Sequence, residues 1–372
     1  MKIIRFFAVL FTVLSLTPLM VHALSAPSVS ASSAVLIDAS SGRILYGKNE
    51  NERRGMASTT KIMTAIVAIE NAKLDKLVTV APAAVGVEGS SVYLYAGEDI
   101  TMETLLYALM LQSANDAAAA IAYDVAGGIE DFAAMMNEKA RELGLSDTHF
   151  MNPHGLDDEN HYTTAFELAK IAAYALENDT FAEIVATEKK VIPLHNSSAS
   201  RLLVNHNKLL RSYEDIIGVK TGFTKKCGRT LVSAAERDGV RLICVTLNDG
   251  DDWRDHRALL DYGFSLYERE TLATSGALSY EVPVCGGETD LVAVSNVDAC
   301  DAMLPRDHGA VSVRVELPRF VYAGVEKGDC IGMAYFLADG QEIGSVPLYA
   351  EKSVPCVRGE KSFWRKLIPF AG

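Results

Sequence analysis

Two lysines and two serines stand at spacings suited to acyl transfer. In the run Ser58-Thr59-Thr60-Lys61 a hydroxyl and an amine are three residues apart, which on a helix places them on one face. A serine at a helix start also has free backbone N–H groups and the positive end of the dipole beside it. Its hydroxyl attacks poorly until a base removes the proton, and a lysine serves as that base when burial or a second cation keeps it neutral. Ser113-Ala114-Asn115 adds a hydroxyl able to relay a proton and an amide able to bind both a carbonyl and an amine. Lys220-Thr221-Gly222 adds a cation and a hydroxyl suited to a carboxylate, with glycine where a substrate backbone must come close. Each motif alone is weak; each occurs once, and together they form an ordered set.

The surrounding pattern predicts how they are held. Residues 33–47 have two strand-like stretches around Ser40-Ser41-Gly42, a hairpin. A helix follows near Ser58, with Ile62, Ile66 and Ile69 on its apolar face. Residues 101–126 read as buried helices interrupted near Gln112–Asp116, which puts Ser113 at a helix junction. Further helices are expected at 129–143, stopped by Gly144, and at 166–177. IIGVKTG, RTLVSAAER and VRLICVTL then read as adjacent antiparallel strands, followed by a helix at 253–268. Strands early, helices in the middle and strands late imply an α+β domain whose sheet is assembled from both ends. Short strands with Gly, Asp and Pro turns at 276–353 predict a separate small β domain.

The 372 residues, 49% of them hydrophobic, suffice for two domains, and the net charge of −13 offers no nucleic-acid footprint. Residues 1–23 have the layout of a signal peptide, with Lys2 and Arg5 before an apolar run and cleavage after Ala23 or Ala26; the protein is expected outside the cytoplasm. Export permits disulfides among the six cysteines without fixing their pairing. The stretch 359–372 pairs Phe363 with Leu367 and Trp364 with Ile368 beside Lys361, Arg365 and Lys366. It reads either as an amphipathic segment for an anionic membrane surface or as a terminus that is docked on the β domain or simply disordered. There is no G-x-S-x-G elbow and no H-E-x-x-H zinc motif, and the chemistry requires no metal or cofactor.

The three motifs resemble those of the penicillin-recognising serine enzymes. ASTTKIMTA, LMLQSANDAAAAIA, FMNPHGLDD and GVKTGFT are similar to the low-molecular-mass D-alanyl-D-alanine carboxypeptidases over residues 27–270, and the trailing β domain and tail resemble that family too. The resemblance implies a central antiparallel sheet flanked by helices. It implies Ser58 as the nucleophile, Lys61 as its base, and Ser113 as the relay to the leaving D-alanine. Asn115 would position the peptide, while Lys220, Thr221 and Gly222 would bind its acid end. The backbone N–H groups of Ser58 and Phe223 would form the oxyanion hole. The expected substrates are peptidoglycan stem peptides ending in D-Ala-D-Ala, with β-lactams as inhibitors. A β-lactamase is disfavoured, because Ala114 stands where class A enzymes have Asp and Glu142-Leu143-Gly144-Leu145-Ser146 lacks the Asn of their deacylating motif. DD-endopeptidase or transpeptidase action through the same acyl-enzyme, and a catalytically silent wall-binding protein, are the other readings. His154 is expected to fix a loop, and His149 and His161 to be ordinary loop residues.

Overall fold

The computed structural model describes residues 25–194 and 199–357; the segments read as signal peptide (1–23) and terminal tail (359–372) lie outside them. Strand Ser33–Asp38 is buried at every position and sits inside a five-stranded antiparallel sheet. Its neighbours are Ile44–Lys48 on one side and Val240–Leu247 on the other, with Gly228–Arg237 and then Ile216–Thr224 completing the order. The turn of the first hairpin is closed by the Asp38 carboxylate, which accepts the N–H groups of Ser40 (2.8 Å) and Ser41 (3.1 Å). The sheet is therefore built from both ends of the domain, and the strand bearing Lys220 lies at its edge.

Six helices pack on one face: α1 Lys61–Asn71, α2 Met102–Leu111, α3 Asn115–Ala126, α4 Ile129–Glu142, α5 Ala165–Leu176 and α6 Asp179–Ala186. A seventh, α7 Asp252–Ser265, covers the other face through Leu259, Leu260 and Phe264 against Leu36, Leu231 and Leu242. Residues Lys61 through Ala68 of α1 are all buried and only its last turn, Ile69–Asn71, reaches solvent, so most of the helix is enclosed all round where the sequence suggested a single apolar face. Its Ile62, Met63, Ile66 and Val67 each gain about 1.5–3 kcal/mol on burial, enough to fix the helix that carries Lys61. Helix α2 is capped by the Thr101 hydroxyl, which accepts the Thr104 N–H at 3.2 Å. Helix α4 ends as expected, with Gly144 at φ +67° and the Leu145 N–H returning to the Ala140 carbonyl.

The last quarter forms a six-stranded sheet in the order Ser312–Glu316, Cys330–Ala338, Gln341–Ala350, Leu291–Ser295, Ser279–Cys285, Val321–Tyr322. Val282, Val292, Val294, Phe336 and Leu348 make its core. Residue 267 onward is strand rather than helix: Tyr267–Ala273 leaves α7 directly, crosses position 270 and pairs with Cys300–Pro305. Arg306 fastens this junction, donating to the Ser265 carbonyl (3.0 Å) and pairing with Glu268 (2.8 Å). All six cysteines are free thiols, Cys244 and Cys300 buried and Cys285, Cys330 and Cys356 exposed.

Candidate active site

Ser58 lies in a 3-10 turn, Ala57–Thr60, that runs into α1. The turn is under strain at its start, where Ala57 has φ +47°. A set of hydroxyls holds it there. Thr59 and Thr230 both donate to the Met56 carbonyl, at 2.5 and 3.1 Å, and Thr60 donates to the Ala57 carbonyl at 2.8 Å. His161 takes the Met151 N–H on Nδ1 (3.0 Å), so its Nε2–H points to the Thr60 oxygen 2.8 Å away. Burial pushes the His161 pKa down to about 4, so the ring is the neutral tautomer this chain requires. Gly155, at φ +85°, lies so close that a Cβ there would be 1.9 Å from the Ala57 oxygen. His161 is thus a support of the turn that carries Ser58 rather than an ordinary loop residue.

Lys61 is fully buried, and its Nζ has three neighbours: Asn115 Oδ1 at 2.7 Å, the His154 carbonyl at 2.6 Å and Ser58 Oγ at 3.1 Å. Burial lowers its pKa well below the usual lysine value, the nearby Lys220 charge lowers it further, and Asp116 opposes them. The arrangement fits a neutral amine. Asn115 Oδ1 and the His154 carbonyl can only accept, which uses both N–H bonds of an NH2 group and leaves its lone pair for the one hydroxyl neighbour, Ser58. His154 contributes its carbonyl, while its ring Nδ1 accepts the Leu156 N–H within the same loop.

The helix junction foreseen near Gln112–Asp116 falls between α2 and α3. Ser113 occupies it at φ +58°, buried, and Asn115 opens α3. Asn115 also donates from Nδ2 to the Glu88 carbonyl, which fixes its amide orientation. The next residue, Asp116, is buried and accepts from Ser91 Oγ and from the N–H groups of Val92 and Leu94, tying a neighbouring loop to the site. No spacing in the sequence marked Asp116, Glu88 or Gly155, because they act across long separations.

On the opposite wall, Lys220 is buried, donates to the Thr221 carbonyl at 2.9 Å, and has its pKa lowered to about 7 by burial. Gly222 meets the backbone of the Ser58 turn: a Cβ at this position would stand 2.9 Å from Ser58 N and 3.1 Å from Thr59 N. Ser58, Ser113, Thr221, Gly222 and Phe223 line one open cleft of about 340 Å3, joined by Ser90, His206, Lys208 and Arg229. A larger cavity of about 460 Å3 adjoins Gly55–Ala57 and is lined by Asp157, Lys226 and Cys227, but Ser58 is not among its walls. Ser58 opens into the smaller cleft. Among the described residues no group of three or more His, Cys, Asp or Glu side chains is arranged for a metal ion.

Residues 20–251 match the family model described as D-alanyl-D-alanine carboxypeptidase. The chain belongs to that family. Residues 267–355 match a second model, the penicillin-binding protein 5 C-terminal domain, which accounts for the trailing sheet. This carboxypeptidase-family chain is 30% identical to D-alanyl-D-alanine carboxypeptidase DacF of Bacillus subtilis, over 87% of its own length and 86% of that protein's. It is likewise 30% identical to DacA of Escherichia coli, with 92% and 87% covered. Among solved structures it resembles penicillin binding protein 5 from Haemophilus influenzae, with TM-score 0.63 and 28% identity over 89% of this chain and 99% of that one. A DD-transpeptidase of Streptomyces K15 is 35% identical, with TM-score 0.62 over 64% of this chain and all of that one.

Proposed function

We infer that Ser58 is the nucleophile of a serine D-alanyl-D-alanine carboxypeptidase that removes the terminal D-alanine from peptidoglycan stem peptides. The observation that carries this reading is the coordination of Lys61, a buried amine with two obligate acceptors and one hydroxyl around it. The Lys61 lone pair takes the Ser58 proton as Oγ attacks the carbonyl of the penultimate D-alanine. Oxyanion charge develops towards the N–H groups of Ser58 and Phe223. The C–N bond then breaks, the proton reaches the leaving amine through Ser113, and an ester remains on Ser58. Water attacks this ester to release the shortened peptide and restore the hydroxyl. Asn115 orients the peptide, and Lys220 with Thr221 holds the free carboxylate while Gly222 lets the strand lie against Ser58. A β-lactam opens on Ser58 by the same attack, but its leaving group stays tethered and the ester persists. No step calls for a metal or cofactor.

The signal-like residues 1–23 support export, and the basic amphipathic stretch 359–372 supports peripheral contact with an anionic membrane face. Among the described residues no helix is long and apolar enough to cross a membrane.

The test is mass spectrometry after incubation with a labelled penicillin. One adduct on the peptide containing Ser58 is expected, absent in Ser58→Ala. An adduct elsewhere, or rapid penicillin turnover, would overturn the assignment. Products from diacetyl-Lys-D-Ala-D-Ala, with and without an amine acceptor, separate hydrolysis from the transpeptidation named for the Streptomyces relative.

A further inference from the structure

We propose that Tyr93 is a platform for the sugar that carries the stem peptide, placed just outside the catalytic cleft; this rests on the substrate class proposed above.

The loop bearing Tyr93 is an extension of the active site. Ser90 lines the cleft, and its carbonyl accepts the Asn115 N–H at 2.7 Å. Asp116 then holds the loop on both sides of Tyr93, taking the Val92 N–H at 3.2 Å and the Leu94 N–H at 2.9 Å, and both of those side chains are buried. Arg201, from the hairpin at Ser200–Val204, makes a two-point pair with Glu98 at 2.6 and 3.0 Å and donates to the Tyr93 carbonyl at 3.1 Å. The backbone of Tyr93 is therefore fixed from three directions. Its ring is not used the same way: it is 83% exposed.

The backbone at Tyr93 is in the left-handed region, φ +58°, which suits Asn or Gly and disfavours a bulky aromatic residue. A large apolar ring is thus displayed to solvent on a rigid support at a position where local preference opposes it. Such departures from local preference mark sites where the side chain serves something other than folding.

Reach and chemistry select the ligand. Tyr93 is three residues from Ser90, so their Cα atoms are at most about 11 Å apart. The three stem residues upstream of the acylated D-alanine span roughly 10 Å when extended. With the penultimate D-alanine at Ser58 and the peptide leaving along the Ser90 wall of the cleft that both residues line, the sugar at its far end arrives at the ring. A phenol presents a flat apolar face and a hydroxyl at its rim, which matches the C–H face and peripheral hydroxyls of a pyranose.

The test compares wild type, Tyr93→Asn and Tyr93→Phe on diacetyl-Lys-D-Ala-D-Ala, a free stem pentapeptide and a disaccharide-pentapeptide. Tyr93→Asn should lower kcat/KM on the disaccharide substrate about five- to tenfold, through KM, and leave both sugar-free peptides within about twofold. Tyr93→Phe should keep most of the activity. The Tm of Tyr93→Asn should equal or exceed that of wild type, because asparagine tolerates the backbone and the ring is not packed. Equal losses on the pentapeptide would assign the ring to the peptide and overturn the proposal. So would no loss on any substrate, or a lowered Tm. Wild-type protein inert towards all three substrates and towards penicillin would instead fail the acyl-transfer reading, and the platform with it.

Discussion

Gly222→Ala tests whether the Lys220 strand sets the backbone position of Ser58, the proposed nucleophile. The added methyl would stand 2.4 Å from Thr230 Oγ1, 2.9 Å from Ser58 N and 3.1 Å from Thr59 N. Thr230 can yield only by releasing the Met56 carbonyl, which it holds at 3.1 Å, and that carbonyl belongs to the strained turn. The other two atoms are backbone. A carbon–nitrogen contact needs about 3.4 Å or more, so Ser58 N must retreat by roughly 0.5 Å from the strand. Misplacements of this order cost up to about 100-fold, and loss of one oxyanion donor costs about 100- to 1,000-fold, or about 3–4 kcal/mol. The fold should lose less, about 1–3 kcal/mol for overpacking. The second-order rate of acylation by a fluorescent penicillin should therefore fall by about 10- to 100-fold in a variant that still unfolds cooperatively. Acylation within threefold of wild type, with the fold intact, would refute the argument that Gly222 governs the position of Ser58 N.

Two further predictions concern the charges and the supports. Lys220 has its pKa lowered to about 7, so its charge is present below that pH and lost above it, and KM for a substrate with a free carboxylate should rise as pH climbs through 7. In Lys220→Gln that KM should be high and flat with pH. Removing the like charge also lets the Lys61 pKa rise, which moves the acid limb of penicillin acylation to higher pH; a limb that stays put would count against coupling of the two amines. His161→Ala removes the donor behind Thr60 and leaves the Met151 N–H unpaired, so it should cost about 2–3 kcal/mol in denaturant melts and about tenfold in acylation. Because the folded-state pKa of His161 is about 4, below the unfolded value, its neutral form contributes stability that is lost as pH falls from about 6.5 towards 4. That acid sensitivity should weaken in the variant.

Much of the frame could be read from residue types and period alone. Ser33–Asp38 and Ile44–Lys48 pair around Ser40–Gly42, Gly144 ends α4, and the α2–α3 break falls at Ser113. These features are local: turn chemistry, caps and buried apolar runs. What escaped was set by tertiary contact. Tyr267–Ala273 continues a helical-looking stretch yet becomes a strand, because Cys300–Pro305 is there to pair with it. The strands Lys189–Pro193 and Ser200–Val204 are five residues each and α6 is eight, too short for a repeat to stand out from the sequence. Within the site, the sequence motifs picked out Ser58, Lys61 and Asn115, and the fold brings Ser58 and Asn115 within hydrogen-bond distance of the Lys61 amine. Their supports were not picked out, since His161 reaches Thr60 across about a hundred residues and Gly155 matters only because the Ala57 carbonyl lies against it.

The order of strands in the main sheet decides when reactivity can begin. Ser58 and Lys61 emerge early, but the edge strand with Lys220 can be seated only on Gly228–Arg237, which in turn needs Val240–Leu247 beside Ser33–Asp38. A chain that has emerged only to residue 230 carries a serine whose lysine still holds its proton, with no partner strand and no burial to remove it. Competence to react with a penicillin is therefore expected to require closure of the sheet from Ser33–Asp38 out to the Lys220 strand.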